Sequence, residues 1–445
     1  MADPSRPSIA VIGGGVTGLA AAAELAGSRR FEITLYEQNE RVGGHCAGLR
    51  LGRTVCDRFY HVVLPGDAET IRWIEELGLG PDLVWSRAGS GFFGEGRLVP
   101  FETSLDFLRF PFLSLPDKFL LANGIRKASR IREPEGPAAV SSEAWLNGLF
   151  GPRVTAKIWR PLLRSKWGDA APRISAAFIW ASIRRLRGAR RGPSGRERLG
   201  ALRPGIHALI EASERGLRDR GVRIRVSSRV LGIDRQDGGR VRVRTESGID
   251  LHQSVLATLA EPELRAILPA ERTGSVRPTE YLGVLAVVLA LKESLSPYYV
   301  INLLDESLPF TGIIETTNVL PAADFGGRSL VYLPKYTTSD DPLNARSDDD
   351  LAGLFLAGLA RVFPGFRETA IVERRVVRAP YAQPLQAPGA PLPLADFHTG
   401  MPGLYAANTS MIVRSLHNID ADIRLAREAA RMIIRETGAK ESDHA

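Results

Sequence analysis

Three glycines and one carboxylate at fixed spacing carry the clearest chemistry in this chain of 445 residues. Gly13, Gly15 and Gly18 lie in Ile9-Ala10-Val11-Ile12-Gly13-Gly14-Gly15-Val16-Thr17-Gly18, an apolar run that reads as a strand and passes into an alanine-rich helix, Leu19 to Leu25. A strand, a Gly-x-Gly-x-x-Gly turn and a helix start bring backbone N–H groups, here those around Val16 and Thr17, onto a pyrophosphate. Gly13 permits the tight turn, Gly15 lets the phosphates approach, and Gly18 lets the helix pack closely. A second strand, Phe31 to Tyr36, ends in Glu37, nineteen positions past Gly18, where a carboxylate accepts from both ribose hydroxyls. Glycine-rich turns also occur where nothing binds. Strand, turn, helix, second strand and terminal acid in this order predict an adenosine diphosphate moiety.

The next residues, Gln38-Asn39-Glu40-Arg41-Val42-Gly43-Gly44-His45, narrow the nucleotide. An arginine and paired glycines just past the ribose acid suit a second pass along a long, doubly charged cofactor, which favours FAD over NAD. Gln38, Arg41, Gly43, Gly44 and His45 are therefore expected along it.

From Gly13 to Gly44 the chain resembles the flavoprotein superfamily of amine oxidases, phytoene desaturases and protoporphyrinogen oxidases. The far end agrees: Gly403-Leu404-Tyr405-Ala406-Ala407-Asn408, followed by a helix from about Ile419 to Arg435, resembles the segment by which those proteins contact the ribityl chain and isoalloxazine. Pro161-Leu162-Leu163-Arg164-Ser165-Lys166-Trp167-Gly168-Asp169 is similar to a segment of a bacterial protoporphyrinogen-oxidase-like subgroup. The resemblance implies an α/β fold: a Rossmann-like, glutathione-reductase-type FAD domain in three parts (1–85, 200–280, 395–445), with a discontinuous α+β substrate domain made of a helical subdomain (86–199) and a mixed sheet (281–394). It also implies that Val230 meets the adenine and that Tyr381 and Gln383 face the flavin. Asn408-Thr409 stands where relatives carry Gly and an acid, so neutral groups replace the usual carboxylate. Asn418, Ile419 and Asp420 open the last helix, whose positive end would face flavin N1 and O2. N-capping by Asn418 or Asp420 is the plain structural alternative.

Candidates for the chemistry itself are Tyr381, His61, Arg58 and Lys166. If Val55 to Val63 is a strand, alternation puts Arg58 and Tyr60 on one face and Phe59 and His61 on the other. His61 can exchange a proton near neutral pH; a hydrogen-bonded structural histidine is its alternative. Lys166 reads either as a buried cation near the flavin or as a surface lysine paired with Asp169, and Tyr381 as a cavity wall or a packing residue. Cys46 and Cys56 read as reduced thiols. No Cys-x-x-Cys or His-x-x-x-His pair suggests a metal site.

The elements that must position these residues are ordinary ones. The hydrophobic share of 44% and charged share of 24% suit a globular chain large enough for two domains. Strands are expected at Val222–Val226, Ser228–Asp234, Arg240–Glu246, Leu251–Ala257, Leu282–Ala290, Tyr298–Leu303, Thr311–Thr316 and Ser329–Leu333, with helices after Pro204 and from Asp348 to Val362. The run Leu282 to Leu291 is too short to span a bilayer and reads as a buried strand. The N-terminus lacks a secretory pattern, so a cytoplasmic location is expected.

The net charge of +8 is concentrated at Arg184, Arg185, Arg187, Arg190, Arg191, Arg196, Arg198 and Arg203. Without interleaved aromatics this is no nucleic-acid signature. It reads as a solvated loop, an anionic-membrane contact, or a site for a phosphate-bearing substrate. The apolar, proline-broken stretch Phe92 to Ile131 reads as core or as a lipid- or substrate-facing patch. The leading functional reading is an FAD-dependent oxidoreductase taking hydride from a C–H or C–N carbon of a small-molecule substrate. A non-redox flavoenzyme resembling sugar-nucleotide mutases and a non-catalytic FAD-binding protein remain alternatives.

Overall fold

In the computed structural model, which describes residues 6–442 except 88, 134, 190–197, 391–395 and 413–416, two sheets meet around the candidate residues. The first is a five-stranded parallel sheet in the order Leu404–Ala406, Ser254–Ala257, Ser8–Ile12, Glu32–Tyr36, Arg223–Arg225. Its central strand is buried on both faces, and pleating divides its residues. Ile9 and Val11 pack under the helices Val16–Gly27, His207–Asp219 and Ile419–Ser442, while Ala10 and Ile12 pack against the antiparallel meander Val230–Arg235, Val241–Thr245, Gly248–His252. Leu251 to Ala257 is thus two strands: Gln253 donates its backbone N–H to Ser8 O, and the chain passes there from the meander to the parallel sheet.

The second sheet has seven strands, ordered Ile371–Pro384, Tyr281–Leu291, Ser329–Thr337, Gly312–Glu315, Tyr298–Leu303, Gly89–Gly94, Arg97–Pro100. Tyr281–Leu291 is buried at every position. Leu285, Val287, Leu289 and Leu291 face the helix Asp348–Val362; Val284, Ala286, Val288 and Ala290 face the loop and hairpin residues Leu51, Cys56 and Phe59 beside the first domain. Each such Val or Leu is worth roughly 1.5–3 kcal/mol of burial. Gly89–Gly94 lies in a stretch expected to be helical, yet it joins this sheet, pairing in parallel with Tyr298–Leu303. Its glycines hide any alternation: a Cβ on Gly91 would press on the Tyr298 ring at 3.0 Å, so the position is left bare for packing.

The helices Leu115–Ala128, Ser142–Val154, Arg160–Trp167 and Ala176–Ala189 enclose their own apolar core around Phe110, Phe112, Leu146, Phe150 and Trp167. Ser114 starts the first of them with a capping box closed by Asp117, and Arg153 Nε holds the other oxygen of Asp117 at 2.7 Å. The apolar stretch divides here. Phe110, Phe112 and Leu113 are buried, whereas Leu105 (50% exposed), Leu108 (58%), Leu115 (71%) and Phe119 (72%) face outward. No helix among the described residues is long and apolar enough to cross a membrane.

Asp57 ties the two sheets to one helix start. Its Oδ2 accepts from Ile206 N at 3.0 Å, and its Oδ1 from His207 N at 3.0 Å and His207 Nδ1 at 2.7 Å. Its carbonyl accepts from Tyr332 Oη on the seven-stranded sheet at 2.7 Å. Burial works against protonation of His207, but the hydrogen bond to and charge of Asp57 outweigh it and raise the pKa. With a raised folded-state pKa, this pair's contribution is complete below the unfolded value of about 6.5 and is lost as pH rises through the folded one. Thermal unfolding of His207→Gln against the parent across that range should therefore show a difference that shrinks with rising pH. A difference that does not change with pH counts against the ionic pairing.

Candidate active site

The carboxyl edge of the parallel sheet gathers the predicted nucleotide residues. Gly13 adopts φ +104°, and its N–H donates to Tyr36 O at 2.9 Å, closing the turn against the second strand. A Cβ on Gly18 would collide with the Gly13 carbonyl oxygen, whereas one on Gly15 would meet nothing within 4 Å. Gly18 is thus bare for packing, and Gly15 borders open space at a helix start whose first N–H groups have no helical acceptor. Gly43, at φ +125°, donates to Gly14 O at 2.7 Å, and Gly44 lies against Gly15, so the two glycine motifs touch. The buried Glu37 accepts from Gly14 N at 2.8 Å through one oxygen and from Asn39 N (2.8 Å) and Nδ2 (2.6 Å) through the other. Ser228 N donates to Glu37 O at 2.8 Å, bringing the start of the strand of Val230 to the same edge. Thr17 and Val16 are buried in the first helical turn; Gln38 and Arg41 are exposed at the rim.

Beyond this edge, residues distant in sequence converge. His45 stacks edge-on against Phe59 at 5.8 Å, and burial, aided by the nearby His417, Arg58 and His61, lowers its pKa to about 3. Burial likewise lowers that of His61, despite the opposing charge of Asp57. Both imidazoles are neutral at pH 7. His61 Nε2 lies 3.5 Å from Cys46 Sγ, and its Nδ1 is buried with no partner. Burial also pushes the Cys46 thiol well up, leaving it protonated and unsuited to nucleophilic work. His417 Nε2 stands 3.3 Å from Asp422 Oδ2; burial opposes its protonation, yet Asp422 raises its pKa, and Asp422 Oδ1 is buried without a partner. Tyr60 packs against Tyr332 at 6.1 Å and beside Tyr336. Tyr381 meets Tyr281 edge-on at 5.7 Å, and Tyr281 Oη accepts from Thr409 Oγ1 at 3.4 Å, next to the buried Asn408. Asn408 Oδ1 is taken by Ser410 N and Oγ, at 3.1 and 2.6 Å.

Several placements differ from the sequence expectation. The strand of Val55 ends at Asp57, because that carboxylate turns to the helix start at Ile206, and the alternation argument lapses beyond it. Arg58 Nη2 instead donates to Arg378 O at 2.8 Å while its neighbours turn inward. Asp420 does not face outward from its own helix start. Its Oδ1 accepts from Glu69 N (2.7 Å) and Thr70 N (3.2 Å), capping the separate helix Ala68–Glu76, and its Oδ2 from Arg424 Nη2 (2.5 Å). A cap of this kind is worth about 1 kcal/mol. Asn418 Oδ1 caps the last helix at Ala421 N, 2.9 Å away, with Ile419 buried behind it. Lys166 has no ion pair among the described residues, and the Asp169 side chain lies outside them; its ammonium sits over the rings of Phe178 (4.5 Å), Tyr336 (5.1 Å) and Trp167 (5.4 Å). Of the arginine cluster, Arg185 binds Asp67 (2.7 Å), Arg203 binds Asp324 (2.7 Å through Nε), Arg184 donates to Arg132 O (2.8 Å) and Arg198 lies over Trp85 (4.7 Å). Arg190, Arg191 and Arg196 lie outside the described residues. Sequence reasoning passed over His417 and Tyr336; His417 directly precedes the flagged Asn418, and that adjacency was the available signal.

The sequence matches the flavin containing amine oxidoreductase family over residues 16–434. The chain belongs to that family. No curated protein matches it in sequence. Its fold is shared with a protein from Exiguobacterium sp. 255-15 whose name assigns it to the protoporphyrinogen oxidases (TM-score 0.75, 22% identity, 98% of this chain and 100% of that one). A reduced UDP-galactopyranose mutase (0.72, 16%, 96% and 94%) and a putrescine oxidase bound to putrescine (0.70, 15%, 97% and 99%) share it too. Membership in the flavin containing amine oxidoreductases implies FAD. The residues present fit it: Gly15 faces open space at a helix N-terminus, Glu37 is buried and held in place at the strand end, and beyond them His61 Nδ1 and Asp422 Oδ1 are buried without protein partners. Gly18→Ala should cost the purified protein most of its flavin, measured as the ratio of 450 nm to 280 nm absorbance, because the helix start must move off the turn; full retention of flavin would remove the turn from the binding site.

Proposed function

We propose that the protein binds FAD and oxidises a C–H or C–N bond of a small, largely apolar molecule. Gly13, Gly15, Val16, Thr17 and Gly18 would hold the pyrophosphate, Glu37 the ribose, and Val230 the adenine, with Gly43, Gly44, His45, Asn408, Asn418 and Ile419 toward the flavin end. Bound FAD would supply a two-electron acceptor for a hydride from a substrate carbon. The observation that carries this reading is the meeting of neutral His45 and His61, the His417–Asp422 pair and the tyrosines 60, 336 and 381 where the carboxyl edge of the first sheet faces the second. The aromatic walls exclude water and orient an apolar substrate. A neutral His61 with an open Nδ1 can take a proton from a substrate N–H or C–H, and Cys46 against its Nε2 holds the ring in place. Arg184, Arg185, Arg198 and Arg203 already have partners within the chain, which weighs against a phosphate-bearing sugar substrate. Anaerobic mixing of the yellow protein with candidate amines, apolar alkenes and cyclic carboxylates should bleach the flavin with one of them, and His61→Ala should slow that bleaching by about 10²-fold or more. Turnover of a sugar nucleotide only after chemical reduction of the flavin would reverse the proposal.

The protein's location is proposed to be cytoplasmic, with the outward face of Leu105, Leu108, Leu115 and Phe119 resting on an anionic membrane. These side chains lie on two adjacent helices whose last turns carry Arg109, Arg126 and Lys127, and each basic residue near an anionic surface contributes about 1 kcal/mol. Flotation with phosphatidylserine-containing liposomes should be strong at low salt and weaker at high salt, and should be lost in Leu115→Asp/Phe119→Asp. Equal flotation of that variant overturns the lipid contact.

A further inference from the structure

Lys166 occupies a position that the proposed function leaves unused. Its ammonium is enclosed on three sides by Phe178, Tyr336 and Trp167, at 4.5, 5.1 and 5.4 Å from the ring centroids. No hydrogen bond or ion pair reaches it among the described residues, whereas His417 stands against Asp422 and His207 against Asp57. Two of the three rings, Trp167 and Phe178, also line a small, partly open cleft that His417, Gln383 and Ser175 close on the other side. The positive charge of Lys166 is felt at His417, so cavity, cage and histidine form one neighbourhood. Aromatic faces stabilise an ammonium but leave its three N–H donors without acceptors.

We propose that Lys166 is the subsite for a carboxylate on an otherwise apolar, ring-containing substrate. The ring of the ligand lies against Trp167 and Phe178, and its carboxylate accepts from the Lys166 ammonium. The same charge disfavours a protonated amine, because no carboxylate among the described side chains pairs with it. The assignment rests on the proposed oxidoreductase reading for its substrate, but its test does not need turnover.

Benzoate, its neutral isostere benzamide and the cation benzylamine, titrated into the FAD-loaded protein and followed by calorimetry, tryptophan fluorescence and the flavin spectrum, separate the possibilities. Benzoate should bind about tenfold or more tightly than benzamide, as one charge-assisted hydrogen bond requires, and benzylamine should bind most weakly. Lys166→Met, which keeps the length of the side chain, should lose the preference for benzoate while retaining benzamide; Lys166→Gln serves as the second variant, and flavin retention shows that each is folded. Binding of benzylamine at least as tight as benzoate, an undiminished benzoate preference in both variants, or no saturable benzoate binding overturns the subsite. Flavin content is measured separately, so a protein that binds benzoate through Lys166 but holds no FAD would instead overturn the oxidoreductase reading.

Discussion

One buried carboxylate sets the geometry on which the cofactor end of this fold depends. Glu37 binds the Gly14 N–H through one oxygen and both nitrogens of Asn39 through the other, and so pins the first glycine turn to the end of the second strand. The strand's own carbonyl, Tyr36 O, holds Gly13, and Gly43 reaches back to Gly14 O. The turn, Glu37 and the second glycine pair are therefore a single hydrogen-bonded unit. Each link constrains the next, because glycine positions with φ near +100° and no Cβ have no other residue that fits.

Charge is arranged differently on the two sides of the site. Toward the sheet edge, positive potential comes from backbone N–H groups and a helix N-terminus, with the Glu37 carboxylate beside them. Toward the second sheet, burial keeps His45 and His61 neutral, and His417 is compensated by Asp422. Asp420, which could have set a second negative charge beside it, is drawn off to the start of Ala68–Glu76. The interior is left with neutral His45 and His61, several phenols, and the Lys166 amine, which no side chain among the described residues pairs with.

Local patterns were legible where a single element decides the outcome. The fully apolar run at Leu282 lies within the strand Tyr281–Leu291, Asp348–Val362 is a helix at both expected ends, and Tyr298–Leu303 is a strand at both. Patterns failed where a partner decided. Gly89–Gly94 carries no alternation because its bare positions serve Tyr298, and the strand of Val55 stops early because Asp57 is needed at Ile206. Exposure within Phe107 to Leu115 could not be sorted by composition, since Phe110 and Leu108 are equally apolar and only the packing of the helices tells them apart.

By itself the sequence determined the nucleotide end of this protein. Glycine spacing, strand length and the acid at position 37 act through short-range backbone geometry, which a linear pattern encodes. Only the tertiary structure decided the far side of the candidate site. His45, His61, Lys166, Tyr336 and His417 come from separate stretches of the chain; burial makes His45 and His61 neutral, Asp422 raises the pKa of His417, and burial pushes that of Lys166, unpaired among the described residues, down to about 8. Burial and pairing are properties of what surrounds a residue, and no spacing along the chain records them.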